Sequence, residues 1–447
     1  MEQFDLAILG AGPGGYVAAI RAAQLGLRTV LIEKDLVGGT CLNRGCIPTK
    51  CWADIAHTME KAKKASGQGV VFGQPQVDIN QLVGWKDKVV TNMRNGIGYL
   101  LKNNGVNLVV SEGALTSDGS IKTKDAEIKA RTVILATGSS PARPKFFPFG
   151  DGRYITSDEI INLQKLPASL AVVGGGAIGC EFASIFAALG VKVSVYEMLP
   201  RLLPLEDSEV GITMERIFKK RGVEVVVGRA AEKPELEKSE LVLIAIGRQP
   251  NTGGIGLEEA GIATDQKGFV VTDDGLRTSV KNVFAIGDIS GKGQLAYLAS
   301  EHGVSIVEQL AGHDHPVQDR FMPSCIFTMP EVGTFGLKED DIKDRRGDYL
   351  VGKFPFTALG KAHCINETDG FVKIIAEKAT GLVAGCQIIG PNAADLVHIA
   401  STTAAAEATL ETITGTIFGH PTLAESVKEA AEACLGRAIH LPKPVIK

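Results

Sequence analysis

Twice along this chain, an apolar run suited to a buried strand breaks into Gly-x-Gly-x-x-Gly. Each time a helical pattern follows, then a second strand ending on a glutamate. In the first copy FDLAIL (4–9) meets Gly10, Gly12 and Gly15, an Ala-rich helix extends to about residue 26, and the strand 29–32 delivers Glu33. In the second, LAVV (170–173) meets Gly174, Gly176 and Gly179, and the next helix and strand deliver Glu197. Each unit reads as a βαβ element of a parallel sheet. The glycines let backbone N–H groups approach a pyrophosphate at a helix N-terminus, and the acid accepts from a ribose hydroxyl. Two such units commit the chain to an α/β fold that holds two dinucleotides. Glu197 favours a free 2′-hydroxyl, hence NAD over NADP, because Met198 and Leu199 follow it rather than an arginine suited to a 2′-phosphate. Without ligands, the same loops are glycine turns and Glu197 is a solvated strand end.

Three more apolar strands run into glycine turns: TVILATGSSP (132–141), LVLIAIGRQPNT (241–252, turning at Gly247) and NVFAIGDIS (282–290). Ligands gather at such strand ends in open parallel sheets. Gly247 is therefore expected beside a cofactor, and Asp288 either bonds a cofactor hydroxyl or is an ordinary turn aspartate. After about residue 320 the pattern changes. DYLVGKFPF and GFVKIIAEKATGLVAGCQIIG alternate like antiparallel strands, the latter turning at 378–381, and Ala-rich helices are expected over about 392–409 and 422–434. The expected organisation is a first nucleotide domain over 1–142 resumed over 269–319, a second over 143–268, and an α+β domain over 320–447.

A chain of 447 residues is too long for one ordinary core. Its net charge of −4 leaves no electrostatic footprint for nucleic acid or an anionic membrane. The longest apolar run, 170–180, is far too short to span a bilayer. The opening MEQFDLAILG is acidic and enters a strand at once, so no signal or transit peptide is expected. Eight cysteines do not suggest a disulfide scaffold. A reducing cytoplasm is the expected compartment, where a disulfide is more often catalytic than structural.

Two of those cysteines, Cys41 and Cys46, stand in GGTCLNRGCIPTK (38–50), directly after the first nucleotide unit. Thiols at this spacing can form a small redox disulfide with a flavin as electron partner. They can also be two buried free thiols or half a zinc site, although zinc would want a second Cys/His pair and none is visible, so no metal is expected. Cys51 lies five residues past Cys46, off that face of a helix, and is expected as a buried thiol. Lys50 and Glu181, read alone, are surface charges, though the apolar flanks of Glu181 in GCEFASIF suit solvent poorly. In GHPTLAE, His420 can take a proton from an incoming thiol while Glu425 fixes its orientation. The competing role for Glu425 is a capping box with Thr422, three residues earlier.

Together these features resemble the flavoprotein disulfide reductases, over essentially the whole chain from AILGAGPGGYVAAIRAAQLG to GHPTLAESVKEAA. The wording GGTCLNRGCIPTK is nearer the family's lipoyl enzymes than its glutathione ones. The resemblance implies two Rossmann-like domains and a C-terminal interface domain that makes a two-fold homodimer. It implies FAD on Gly10, Gly12, Gly15, Glu33 and Asp288, with Ala136, Thr137 and Gly138 as the family's ATG turn, and NAD on Gly174, Gly176, Gly179 and Glu197. It further implies that Cys41 exchanges with substrate and that Cys46 faces the flavin, forming a thiolate–flavin charge-transfer contact. Lys50 and Glu181 would pair beside the flavin, and His420 with Glu425 would serve the Cys41 site of the other subunit. The implied reaction passes electrons from dihydrolipoamide, or a lipoyl-bearing protein, through the Cys41–Cys46 disulfide and FAD to NAD⁺. The alternatives are a related reductase of glutathione, mercury or another disulfide, and a non-catalytic subunit of a complex. Against mercury, the ending PKPVIK lacks the extra cysteine pair.

The chain departs from the family pattern in three places. The lipoyl enzymes usually read HxHPT at the dyad, whereas Phe418 stands here in place of the first histidine. The stretch GRAAEKPELEKSE (228–240) is shorter than the family's β-meander, so the NAD domain is expected to be trimmed. Tyr297 occupies a position where histidine is common.

Overall fold

The computed structural model describes residues 3–71, 73, 75–317 and 319–442. The first two residues of the opening segment and the last five of PKPVIK lie outside the described residues.

The first nucleotide unit builds a parallel sheet in which Gln3–Leu9 lies between Thr29–Glu33 and Glu127–Leu135. Asn107–Val110 extends it on one side and Val283–Ala285 on the other, both parallel to their neighbours. A chain segment from beyond residue 280 thus completes the sheet that residue 3 begins. The second unit builds a sheet ordered Glu224–Val227, Lys192–Glu197, Ser169–Val173, Leu241–Ile244, Tyr154–Ile155, every pair parallel. Strands covered on both faces need near-continuous apolar sequence, and Leu170, Ala171 and Val172 are fully buried. The helix after them, Ala177–Ala188, is apolar on almost every side because it too is buried almost all round.

The C-terminal sheet is antiparallel, ordered Ser324–Ile326, Glu331–Gly336, Val383–Gly390, Phe371–Glu377, Tyr349–Pro355. Its hairpin turns between Glu377 and Val383, where Glu377 N–H donates to the Leu382 carbonyl. The helix expected over 392–409 is Ala393–Ala405 followed by a separate short helix, Leu410–Gly415. The last helix, Glu425–Cys434, starts three residues later than expected.

In place of a meander, one helical turn, Lys233–Leu236, joins Glu224–Val227 to Leu241–Ile244. The exposed sheet face gains cover from elsewhere. Phe147 and Phe149 pack with Leu236 over Tyr154, Tyr196, Val242 and Ile244.

Two contacts lock the domains together. Trp52, on the helix Cys46–Ala65, stacks on Phe186 of Ala177–Ala188 with ring centroids 5.6 Å apart, and its indole N–H donates to the Ile161 carbonyl. This holds the dithiol helix against the second nucleotide helix. Lys373, on the C-terminal sheet, is buried and reaches Asp207 at 3.0 Å, Glu209 at 3.0 Å and Glu339 at 2.8 Å. Asp207 also caps the helix Ser208–Lys220 by accepting from Glu209 N–H. Burial works against the Lys373 charge, but the three carboxylates outweigh it and raise its pKa.

Candidate active site

The two glycine loops are built alike, and their geometry explains why glycine is required. Gly10 and Gly174 have φ of 104° and 107°, and a Cβ on either would collide with a backbone carbonyl, Ala136 or Ala245, of the neighbouring strand. Gly15 and Gly179 sit against the carbonyls of Gly10 and Gly174, so a side chain there would push helix from loop. Gly12 and Gly176 are the caps of Pro13–Gln24 and Ala177–Ala188, and neither helix has a side-chain cap or an acid in its first turn. A Cβ on Gly176 would meet open space, and one on Gly12 only Gly39 at 4.0 Å. Each loop therefore offers uncapped N–H groups around room for an anion, which suits a dinucleotide pyrophosphate.

The acids repeat the same design. Glu33 accepts from Ala11 N–H at 2.7 Å and Asp35 N–H at 2.8 Å. Glu197 accepts from Gly175 N–H at 2.6 Å and Leu199 N–H at 2.7 Å. Glu197 is buried rather than the solvated strand end of the alternative reading, and each carboxylate ties its strand end to the glycine loop. Ala136 walls the first loop through its carbonyl, Thr137 is fastened to Asn251 by two bonds of 2.8 Å, and Gly138 turns with φ 69°. Gly247 turns with φ 120° and faces open space. Asp288 is held by the Ser139 hydroxyl and lies 3.7 Å from Arg248, so it is a fixed, charged member of the strand-end cluster.

Cys41 and Cys46 are joined as a disulfide, with their Cα atoms 4.7 Å apart. Cys46 is the first residue of a 20-residue helix, where the unpaired N–H groups favour a thiolate on that sulfur. One turn further on, Lys50 Nζ donates to both carboxylate oxygens of Glu181 at 3.0 Å. Glu181 is buried and also accepts from Phe327 N–H at 2.9 Å, while Lys50 lies 4.4 Å from the Phe327 ring centroid. Three parts of the fold thus converge one helical turn from the disulfide. Cys51 is half-buried rather than buried, and burial raises its thiol pKa. Among the described residues, no group of three or more His, Cys, Asp or Glu could hold a metal.

His420 Nδ1 lies 2.8 Å from Glu425 Oε1, and its ring is 77% exposed. The other carboxylate oxygen accepts from Thr422 N–H at 2.7 Å. That is only half of a capping box, because the helix cap is Ala424 and the Thr422 hydroxyl bonds the Gly419 carbonyl. Glu425 therefore bonds the His420 ring and the Thr422 N–H at once. Burial pushes its pKa up, but the Thr422 N–H and His420 outweigh it and hold the carboxyl below the usual range.

Phe327, Ser139 and Arg248 were not singled out from sequence. Arg248 Nε donates to the Ser139 hydroxyl at 2.7 Å and so braces Asp288. Arg248 and Ser139 lie in GRQPNT and ATGSSP, both read as strand ends, whereas Phe327 in SCIFTMPE carries no local signal.

Residues 4–303 match the family model described as pyridine nucleotide-disulphide oxidoreductase, and residues 322–431 match the dimerisation domain of that name. The chain is 39% identical to the dihydrolipoyl dehydrogenase of Chlamydia muridarum, over 99% of each chain. It is 40% identical to that of Halobacterium salinarum, over 98% of this chain and 97% of the relative. Among solved structures it resembles the HOCl-induced flavoprotein disulfide reductase RclA from Escherichia coli, with TM-score 0.86, 26% identity and coverage of 96% and 99%. It also resembles LpdA from Mycobacterium tuberculosis, with TM-score 0.85, 26% identity and coverage of 97% and 99%.

Proposed function

This chain belongs to the pyridine nucleotide-disulphide oxidoreductase family, and from that premise we propose that it oxidises dihydrolipoyl groups to the cyclic disulfide with NAD⁺ as final acceptor, the dihydrolipoyl dehydrogenase reaction. The observation that carries this reading is the Cys41–Cys46 disulfide at the start of the helix that also presents Lys50 to Glu181.

His420, held by Glu425 through Nδ1, takes the proton of the first substrate thiol on Nε2. The resulting thiolate attacks Cys41 Sγ, and Cys46 leaves as a thiolate that its helix N-terminus stabilises. The second substrate thiol then displaces Cys41 from the mixed disulfide, closing the substrate disulfide as its proton passes to Cys41. Gly10, Gly12, Gly15 and Glu33 hold FAD, with Asp288 and the Ala136–Thr137–Gly138 turn against it, and Lys50 with Glu181 sets the charge beside it. When bound, FAD supplies the two-electron carrier between the dithiol and NAD⁺. Gly174, Gly176, Gly179 and Glu197 hold NAD, and Gly247 leaves the backbone open beside it.

The protein works as a homodimer through residues 320–447, in the cytoplasm, on dihydrolipoamide or a lipoyl-bearing protein. The exposed His420 ring serves the Cys41 site of the second copy. The domain limits 1–142, 143–268 and 269–319 bound the FAD, NAD and returning FAD segments.

The test is an anaerobic spectrum on adding dihydrolipoamide and then NAD⁺. A long-wavelength band that decays as NADH forms is expected, and Cys41→Ser or Cys46→Ser should abolish NADH formation. A protein that gives the band with NADH but not with dihydrolipoamide would be a reductase of another disulfide, which Phe418 makes worth checking. Serine variants with full dithiol:NAD⁺ activity would end the proposal.

A further inference from the structure

The helix Glu425–Cys434 carries a second histidine–glutamate pair one turn beyond the first. His440 Nδ1 lies 2.8 Å from Glu429 Oε1, the same atoms at the same distance as His420 and Glu425. Glu425 and Glu429 are four residues apart and so share a helix face. Both side chains stay exposed, His440 at 65%. The two pairs differ in one respect. The second oxygen of Glu425 is bonded to Thr422 N–H, whereas Glu429 Oε2 is buried with no hydrogen-bond partner among the described residues. His440 also acts electrostatically on Glu425 and helps hold that carboxyl low. The other charges nearby are engaged elsewhere: Lys428 donates to the Thr416 carbonyl, and Arg437 pairs with Glu411 and Glu432.

Proton accounting gives this pair a task. Oxidising one dithiol removes two electrons and two S–H protons. The enzyme disulfide takes the electrons and becomes Cys41 thiol and Cys46 thiolate, so one proton stays on Cys41 and the other on His420. His420 cannot act as a base again until that proton leaves. We propose that His440 with Glu429 is a second acid–base pair that receives the proton shed by His420 and passes it to solvent. His440 is then a positioning and relay residue, since it touches neither substrate nor cofactor.

This rests on the reading of His420 as the base. It does not require dihydrolipoamide, because dithiothreitol reduces the same disulfide and releases the same proton. The test follows disulfide reduction and proton release together, with a pH-indicator dye in weak buffer, using dithiothreitol and dihydrolipoamide in turn. In His440→Gln the first disulfide reduction should match the parent within about twofold, while proton release and repeated turnover slow by roughly three- to tenfold. Added imidazole should restore both, and Glu429→Gln should behave like His440→Gln. Parent-like proton release in weak buffer would overturn the relay, as would a deficit that imidazole does not restore. Reaction with dithiothreitol alone would remove the lipoyl reading while still deciding this one.

Discussion

At Gly174 and Gly176, two residues apart on one loop, a single added methyl group has opposite expected effects. Gly174 has φ 107° and its Cβ would strike the Ala245 carbonyl, so Gly174→Ala should destabilise the second nucleotide unit by about 1–3 kcal/mol. Gly176 has φ −75° and faces open space, so Gly176→Ala should leave stability within about 0.5 kcal/mol. The methyl instead occupies the room assigned to the pyrophosphate, and the KM for NAD⁺ should rise about tenfold, a loss of about 1.4 kcal/mol. Thermal midpoints and NAD⁺ saturation curves separate the two, and an unchanged KM in Gly176→Ala would remove this loop from the NAD site. Such positions were legible in the sequence because glycine spacing, strand and acid all lie within about thirty residues. Phe327 was not, because it meets Glu181 from 146 residues away. Asp288 was legible only in part: its strand end was visible, but the Ser139 and Arg248 that fix it come from two distant turns.

Between elements, the buried charge of Lys373 binds the C-terminal sheet to the capped start of Ser208–Lys220. Removing one partner from a buried ionic cluster leaves the others uncompensated. Asp207 is fully buried, so Lys373→Met should cost about 3–5 kcal/mol, read as a lower thermal midpoint with the NAD domain loosening first. The pH dependence follows from the raised pKa of Lys373. A folded pKa above the unfolded value of about 10.4 means the contribution is full below that pH and is lost as pH rises through the folded value. The gap in midpoint between parent and variant should therefore stay constant from about pH 6 to 9 and close only in strong alkali. A gap that closes near neutrality would mean the carboxylates, not the lysine, set it. Nothing in the sequence marked this cluster, because Lys373 stands in the alternating run FVKIIAE and reads as an outward-facing strand residue. The helix start at Glu425 was misjudged for a related reason. Glu425 bonds Thr422 N–H as a capping box would, but its second oxygen goes to His420, and the cap moves to Ala424.

For the whole molecule, the question is which chains build one site. The disulfide and the His420–Glu425 pair belong to different domains, and the family model matched over 322–431 is a dimerisation domain. If the dyad of one copy serves the disulfide of the other, two inactive variants should complement each other. Cys41→Ser leaves a working His420, and His420→Gln leaves a working disulfide. In a mixed dimer one site combines both lesions and the other combines both intact halves. Random reassortment makes half the dimers mixed, so equal amounts of the two variants should recover about a quarter of the parent activity. If each chain builds its own site, every site in the mixture carries one lesion and no activity returns. The mixture must be unfolded and refolded, or exchanged long enough for subunits to reassort, with mass spectrometry confirming mixed dimers. Mixed dimers without activity would place the base and the disulfide of one site on the same chain.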